Sequence, residues 1–352
     1  MPVKNGCALG GMKMKKTKLL KILTVLIPVV TILVTANMGF AKKLGVLPEL
    51  GKPDNLTVYK DEIYVVEGAK ILVYSLKDMK LVRSFGKRGE GPGELMVIPN
   101  IYYNRLHVTE NAIQAESVNK IVIFNKDGSV KKEIKKTNQF IRKTLPLGKN
   151  FVIKRGLVDI KAKKVYTTVM LCDSEMKELK ELYRQDFVQQ GFAPPVTIQM
   201  VMDFIDFYVY DDKLFLEKSQ KGFLIDVYDS NGKLLYSINK KDPKMPVTKT
   251  DIEKMKTRFR EDPSIKEQSK QQGGYAEIEK NIRMKFAETY PPIRRIGVTG
   301  GKIYVQTFKV KDGKDLYHIM DLKGNNDKQT WVPAFSNVPL TAELLSASLS
   351  II

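Results

Sequence analysis

Alternating apolar and polar residues fall into short runs, four to a group, and the groups recur between Leu56 and Val332. The first group is Leu56–Tyr59, Ile63–Val66, Ile71–Tyr74 and Leu81–Ser84, with Lys60-Asp61 at its first turn. The second is Leu106–Val108, Ala112–Ala115, Lys120–Phe124 and a run from Val130, with Asp127-Gly128 before the last. The third is Thr144–Leu147, Asn150–Ile153, Thr167–Cys172 and a run around Leu179. The fourth is Phe207–Tyr210, Lys213–Leu216, Leu224–Tyr228 and a run from Leu234 after Asn231-Gly232. The fifth is Ile296–Val298, Lys302–Val305, Leu316–Met320 and Trp331-Val332 after Lys323-Gly324. Residues two apart share one face of a strand, so this alternation predicts half-buried strands. The Asn-Gly and Asp-Gly pairs supply the backbone angles of tight hairpins. The class is all-β. Four strands repeating at roughly 40 residues mark propeller blades, although that period alone also fits an array of β-sandwiches.

Two stretches break the alternation. Pro243–Tyr290 is polar and has helical spacing in two pieces. Thr250-Asp-Ile-Glu253 has the spacing of a capping box, and Ile252, Met255 and Phe259 share a face before Asp262-Pro263. Tyr275, Ile278, Ile282 and Phe286 form a second apolar stripe after Gly273-Gly274, predicting a helical insertion that packs on one face of the sheets. The other stretch is Phe85-Gly-Lys-Arg-Gly-Glu-Gly-Pro-Gly-Glu-Leu-Met-Val-Ile-Pro99. A phosphate-binding loop needs Gly-Lys-Ser/Thr opening a helix. Here Gly93 is followed by Glu94-Leu95 and then Pro99, which reads as a long connection between strand groups.

That connection, Phe-Gly-x-x-Gly-x-Gly-Pro-Gly-Glu-Leu…Pro, resembles the inter-blade loop of NHL-type six-bladed β-propellers, including secreted bacterial ones. Tyr290-Pro-Pro-Ile-Arg294 is similar to the approach to a blade in secreted members of the same family. The resemblance covers roughly residues 52–335 and implies a propeller of four-stranded blades, six in number. Five repeats are visible, so the last blade reads as incomplete. Leu44–Tyr59 offers one strand toward it, and Pro339–Ile352 has no hairpin turn. The expectation is five recognisable blades with incomplete closure between the first and the fifth, in a chain that is truncated or closes with five. The resulting division is 1–41 leader, 42–54 linker, 55–335 propeller with its insertion at 243–290, and 336–352 tail.

The leader changes the picture of where the chain works. Lys13–Lys21 is basic, Ile22–Ala36 is apolar apart from three threonines, and Gly39-Phe40-Ala41 has small residues flanking a larger one. These are the parts of a secretory signal. Residues 22–41 also have the length of an uncleaved membrane anchor, so cleavage and attachment both fit. Either places the body outside the cytoplasm, at the cell surface, in the periplasm or secreted.

The whole chain carries a formal charge of +20. Six lysines lie in the leader, which leaves 53 basic against 39 acidic residues, or +14. Such a balance favours protein, anionic glycan or lipid-surface partners. The leader argues against nucleic acid. Of the two cysteines, Cys7 precedes the apolar run and Cys172 reads as a small buried hydrophobe, so no disulfide framework is expected.

Catalytic chemistry is sparse. His107 and His318 sit in strands of different repeats, too few soft ligands for a zinc or copper centre. Asp203, Asp206, Asp211 and Asp212 cluster in sequence, but Asp211-Asp212 occupies a turn, where aspartate is common anyway. No metal or other cofactor is expected, and no catalysis. When the repeats are aligned on their first turns, the start of the innermost strand is Arg105, Lys143, Asp206 or Arg295. The preceding slot is Asn104, Arg142, Ile205 or Arg294. Innermost strands line a propeller's channel, so these slots form a mainly cationic ring. One reading is salt bridges and solvated charge at a rim. The other is a mouth that binds an anionic group, with Arg105, Arg142, Lys143, Asp206, Arg294 and Arg295 as its residues. Function is then that of a binding or scaffolding module. The alternative is a hydrolase or lyase acting on a glycan or lactone at the channel.

Overall fold

Five sheets, each of four antiparallel strands paired in chain order, follow one another along the chain. The computed structural model describes residues 47–333 except 48, 99–103, 137–139, 160, 163, 188–194, 202–204 and 242–243. Blade I comprises Asn55–Tyr59, Glu62–Glu67, Lys70–Ser75 and Leu81–Phe85. Blade II comprises Arg105–Val108, Ile113–Glu116, Lys120–Phe124 and Val130–Lys135. Blade III has the longest strands, Ile141–Leu147, Asn150–Asp159, Lys164–Cys172 and Glu178–Phe187. Blade IV comprises Phe207–Tyr210, Lys213–Glu217, Phe223–Tyr228 and Leu234–Lys240, and blade V Arg295–Thr299, Lys302–Lys311, Lys314–Asp321 and Lys328–Pro333. The first strands of all five border one central cavity, which makes the assembly a β-propeller.

Burial of alternate residues joins the blades. Tyr64, Val66, Ile71 and Val73 of blade I pack on Leu106, Ile113 and Val122 of blade II. Ile121 and Ile134 of blade II pack on Ile141, Phe151 and Ile153 of blade III. Val152 and Leu171 continue to Phe207 and Leu214 of blade IV, and Phe215 and Ile225 to Ile296 and Ile303 of blade V. The opposite face of blade I, with Ile63, Val65, Leu72 and Tyr74, is covered by Leu47 and Leu50.

The described residues therefore form five blades, not the six that the resemblance implied. The fifth sheet has all four strands, so it is not the incomplete one. Asn55–Tyr59 is already the first strand of blade I, and Leu47 and Leu50 pack beside that blade, so the segment before it adds no strand to another sheet among the described residues. The expected leader 1–41 and tail 336–352 lie outside the described residues, as does the question of cleavage or attachment through 22–41.

One turn recurs at the last hairpin of blades II to V. Gly128, Gly232 and Gly324 take φ of 94°, 73° and 83°, and their amides donate to the carbonyls of Asn125, Asp229 and Asp321. Each lies so close to the preceding blade that a Cβ would meet Phe85, Leu182 or Ile238 at 3.0 Å or less. In blade III the same position is Met176, with φ 66° and its amide on Asp173. Its buried thioether joins Ile134 of blade II, filling the space that glycine leaves elsewhere. Cys172, in the same cluster, is buried, and burial pushes its thiol up to about 11, as fits a small hydrophobe.

The glycine-rich stretch straps blade I to blade II. Leu95 is fully buried in their shared core. The amide of Gly91 donates to Glu94 and that of Gly93 to Glu133, so the loop's donors are spent on the protein's own carboxylates. Lys120 holds the other side, donating to the Gly91 carbonyl at 2.6 Å and pairing with Glu133 at 3.0 Å. Gly86 has φ 85°, and a Cβ there would stand 2.5 Å from the Ala69 carbonyl oxygen, a backbone atom. Gly86→Ala is expected to destabilise the fold by about 1–3 kcal/mol, read as a lower urea midpoint with unchanged slope.

The insertion after blade IV is helical, with corrections. Helix α1 is Lys249–Glu261, α2 Pro263–Gln271 and α3 Tyr275–Asn281. The capping box is Thr248 with Asp251, two residues before the predicted Thr250/Glu253 pair. Asp262-Pro263 ends α1 but also starts α2, with Asp262 as its cap. The second stripe does not continue as helix. Ile282–Lys285 is a strand that pairs in parallel with Val196–Gln199. Stacking of Tyr290 on Phe308, 4.9 Å between ring centroids, ties the end of the insertion to blade V.

Candidate functional site

The cavity at the propeller centre measures ≈ 470 Å³. At one end of it the innermost strands begin, and there the predicted ring is found. Arg105, Arg142, Lys143, Asp206 and Arg295 all border the cavity. Arg294 does not. Its guanidinium turns to Asp315 at 3.5 Å and lies over the Phe308 ring at 5.7 Å. Blade I supplies the neutral Asn55, whose Oδ1 accepts the Leu106 amide at 3.1 Å.

Arg142 and Arg294 occupy the same slot by sequence yet diverge for a backbone reason. The pairing of blade III's first two strands shifts between Ile141 and Lys143, so Arg142 sits at an irregularity of the ladder. Such a bulge re-aims a side chain, and here Arg142 joins Lys143 in lining the cavity. The Arg142 carbonyl accepts from the Arg105 guanidinium, which links the rims of blades II and III.

A second tier comes from the strands next to the innermost ones. Register places Glu116 opposite Arg105, Lys154 opposite Lys143 and Gln306 opposite Arg295. Like charges directly opposite one another destabilise a sheet. Lys143 and Lys154 are relieved by blade IV. Lys143 donates to Asp206 at 2.7 Å and to the Phe207 carbonyl at 2.6 Å, while Lys154 donates to the Ile205 carbonyl at 2.9 Å. Burial works against the Asp206 charge, but Lys143, Lys154 and the Phe207 amide outweigh it and hold the carboxyl below its ordinary range. Burial pushes the Lys154 ammonium down, opposed by Asp206.

Glu116 is neutralised within the wall. It pairs with Lys136 at 2.8 Å and accepts from the Thr144 amide and hydroxyl, each at 3.1 Å. Deeper in the channel, burial, with Lys143 nearby, pushes the His107 imidazole down to about 4. Of the sequence aspartates, the described Asp206, Asp211 and Asp212 do not converge. Asp206 precedes the strand Phe207–Tyr210 and Asp211-Asp212 turns at its far end, where Asp211 pairs with Lys213 at 2.9 Å. Asp203 lies outside the described residues. Among the described residues no group of three potential metal ligands gathers, and no helix is long and apolar enough to cross a membrane.

The mouth thus holds five cations, Arg105, Arg142, Lys143, Lys154 and Arg295, against Glu116 and Asp206. Lys143 and Lys136 answer the two carboxylates. Among the described residues no carboxylate pairs with Arg105, Arg142 or Arg295, and all three are exposed.

Neither a protein-family profile nor a curated protein matches the chain. Among solved structures it is similar to the WD40 domain of Neurospora crassa Pan2, at 9% identity over 81% of this chain and 80% of that one, with a TM-score of 0.35. It is similar to KlHsv2 with loop 6CD replaced by a Gly-Ser linker, at 9% identity over 81% and 82%, with a TM-score of 0.36. It is also similar to a protein of unknown function from Bacteroides caccae, at 10% identity over 77% and 73%, with a TM-score of 0.33. Likeness of this strength carries no weight, and the propeller assignment stands on the sheet topology.

Proposed function

We propose that this propeller is a non-catalytic binding module that takes an anionic group of a protein, glycan or lipid at the mouth of its channel. The observation that carries the proposal is the trio Arg105, Arg142 and Arg295, exposed at one cavity without carboxylate partners among the described residues. Guanidinium forks suit carboxylates and phosphates, and walls of low dielectric strengthen that attraction. Asp206, the carboxylate a hydrolase or lyase would call on, is held ionised between two lysines, which supports binding over acid–base work. The basic-then-apolar leader supports export as part of the same proposal. The Gly-Pro-Gly-Glu-Leu strap between blades I and II supports kinship with NHL-type propellers.

Calorimetric titration with the small tricarboxylate tricarballylate, and with glycerol as a neutral control, tests the anion site. Binding of the first alone is expected. Arg142→Ala with Arg295→Ala should weaken it at least tenfold, because a hydrogen bond to a charged group contributes roughly 1.5 kcal/mol or more. The melting temperature should hold. Equal affinity in the double variant would return both arginines to a solvated rim.

A further inference from the structure

Blade III's long strands run past the channel and, with the parallel ribbon of Val196–Gln199 and Ile282–Lys285, border a second cavity of ≈ 600 Å³. Arg142 and Lys154 line it as well as the channel. Its floor is blade III. Lys154 and Gly156 share one face of their strand, and register sets Thr167 opposite Gly156. Val165 pairs four residues farther along the ladder than Lys154, ~13 Å away.

Gly156 stands inside the strand Asn150–Asp159, where a glycine weakens a sheet and marks a place of close approach. None of the described residues makes that approach, for a Cβ at Gly156 would meet no atom within 4 Å. The space above the strand is open.

The charges around it do not balance. Arg155 is bound by Glu178 through both guanidinium nitrogens, and Asp186 pairs with Lys164 at 3.1 Å. Lys154 donates to the Ile205 carbonyl, and the Asp206 charge that favours its ammonium is itself answered by Lys143. Arg142 and Lys285 are both exposed, and among the described residues no carboxylate pairs with either. Three cations therefore face the cavity with no acid left over.

The rest of the lining asks for little hydrogen bonding. Gln185 is 7% exposed and already engaged within the protein. Gln199 donates to the Val201 carbonyl at 3.2 Å, and Gln220 is exposed to water. A ligand rich in hydroxyls would find few free partners. Val165, Val201, Ile205 and Ala287, with the half-buried rings of Tyr166 and Phe286, offer apolar contact instead. Apolar walls with a few convergent charged groups suit a ligand with an apolar body and one charged end.

We propose that the cavity beside blade III binds a single-chain aliphatic anion, with its charged head on Arg142 and Lys154 and its hydrocarbon over Gly156 toward Val165. Lys285 adds to the attraction from its exposed position. The site goes beyond the reading of the mouth and shares only Arg142 and Lys154 with the channel.

Calorimetric titration of the full chain with dodecanoate, octanoate and 1-octanol tests it, and tricarballylate reports the mouth separately. Dodecanoate is expected to bind at least tenfold more tightly than octanoate, since each buried methylene adds up to about fourfold. Octanoate should bind at least tenfold more tightly than octanol. Gly156→Leu fills the space above the strand and should cost dodecanoate tenfold or more, with tricarballylate binding and the melting temperature unchanged. Lys285→Glu, at an exposed position, should weaken dodecanoate fivefold or more without lowering the melting temperature. Octanol as tight as octanoate overturns the anionic head, and dodecanoate no tighter than octanoate overturns the aliphatic body. Unchanged dodecanoate affinity in either variant overturns the site. Tricarballylate binding without dodecanoate binding removes this site and leaves the mouth. Dodecanoate binding without tricarballylate binding removes the mouth and leaves this site.

Discussion

Glu116→Ala will destabilise the propeller by about 3–5 kcal/mol, the largest effect expected of any single change at the channel. The Glu116 and Lys136 side chains are 3% and 1% exposed, and their ion pair is 2.8 Å long. Glu116 also accepts from the Thr144 amide and hydroxyl of the next blade. Gln114 donates to the Thr144 carbonyl at 3.0 Å beside it. One carboxylate therefore compensates a buried lysine and fastens blade II to blade III. Removing it leaves the ammonium without that counter-charge and two Thr144 donors without an acceptor. Burial already pushes the Lys136 ammonium down, and Glu116 is what opposes that push. The pair itself need not be worth much, because taking two charges out of water offsets most of their attraction. Glu116→Gln combined with Lys136→Met separates the two effects. The amide still accepts from Thr144, no charge is stranded, and at least half of the lost stability is expected back. Urea unfolding of the three proteins measures it. A loss below ~1 kcal/mol for Glu116→Ala would mean that water reaches the pair, and the interlocking role would fall.

That pair also shows where sequence reasoning reached and where it stopped. Glu116 closes the run Ile113–Glu116 and Lys154 follows Asn150–Ile153, so both look like the polar ends of ordinary strands. The first-strand residues Arg105, Lys143 and Arg295 were legible because the hairpin turns fix a common alignment. The second tier needed one more step. Once the turn fixes register, Glu116, Lys154 and Gln306 are the residues opposite them. Arg142 and Arg294 could not be told apart by counting, since the difference is the irregularity after Ile141. The four strands of blade III were legible, but its last turn was not, because Met176 takes the left-handed position that glycine holds in its neighbours. The stripe Ile278, Ile282 and Phe286 has helical spacing, yet Ile282–Lys285 is extended. A strand partner more than eighty residues earlier, Val196–Gln199, won over the local period.

Between pH 6.5 and pH 4 the fold is expected to lose stability on the order of 3 kcal/mol through His107 alone. His107 lies in the strand Arg105–Val108 on the channel wall. Burial first, and then the positive charge of Lys143, push its imidazole down to about 4 from 6.5. In the unfolded chain the ring takes up a proton once the pH falls below about 6.5. In the folded chain it stays neutral until about 4. Within that window the unfolded state binds more protons, so acid favours unfolding, and stability rises again as the pH is raised. Below about 4 both states are protonated and this contribution changes no further. Asp206, whose carboxyl the fold holds low, loses its contribution only as the pH drops through still lower values. The interval from 6.5 to 4 therefore isolates the histidine from Asp206. His107→Gln keeps a polar side chain of similar size and cannot take up a proton. Unfolding free energies from urea titrations at pH 7.5 and pH 4.5 should show the variant losing about 2–3 kcal/mol less than the parent chain. Parallel losses in the two proteins would mean that the His107 ring is solvated in the channel and titrates as it does in the unfolded chain.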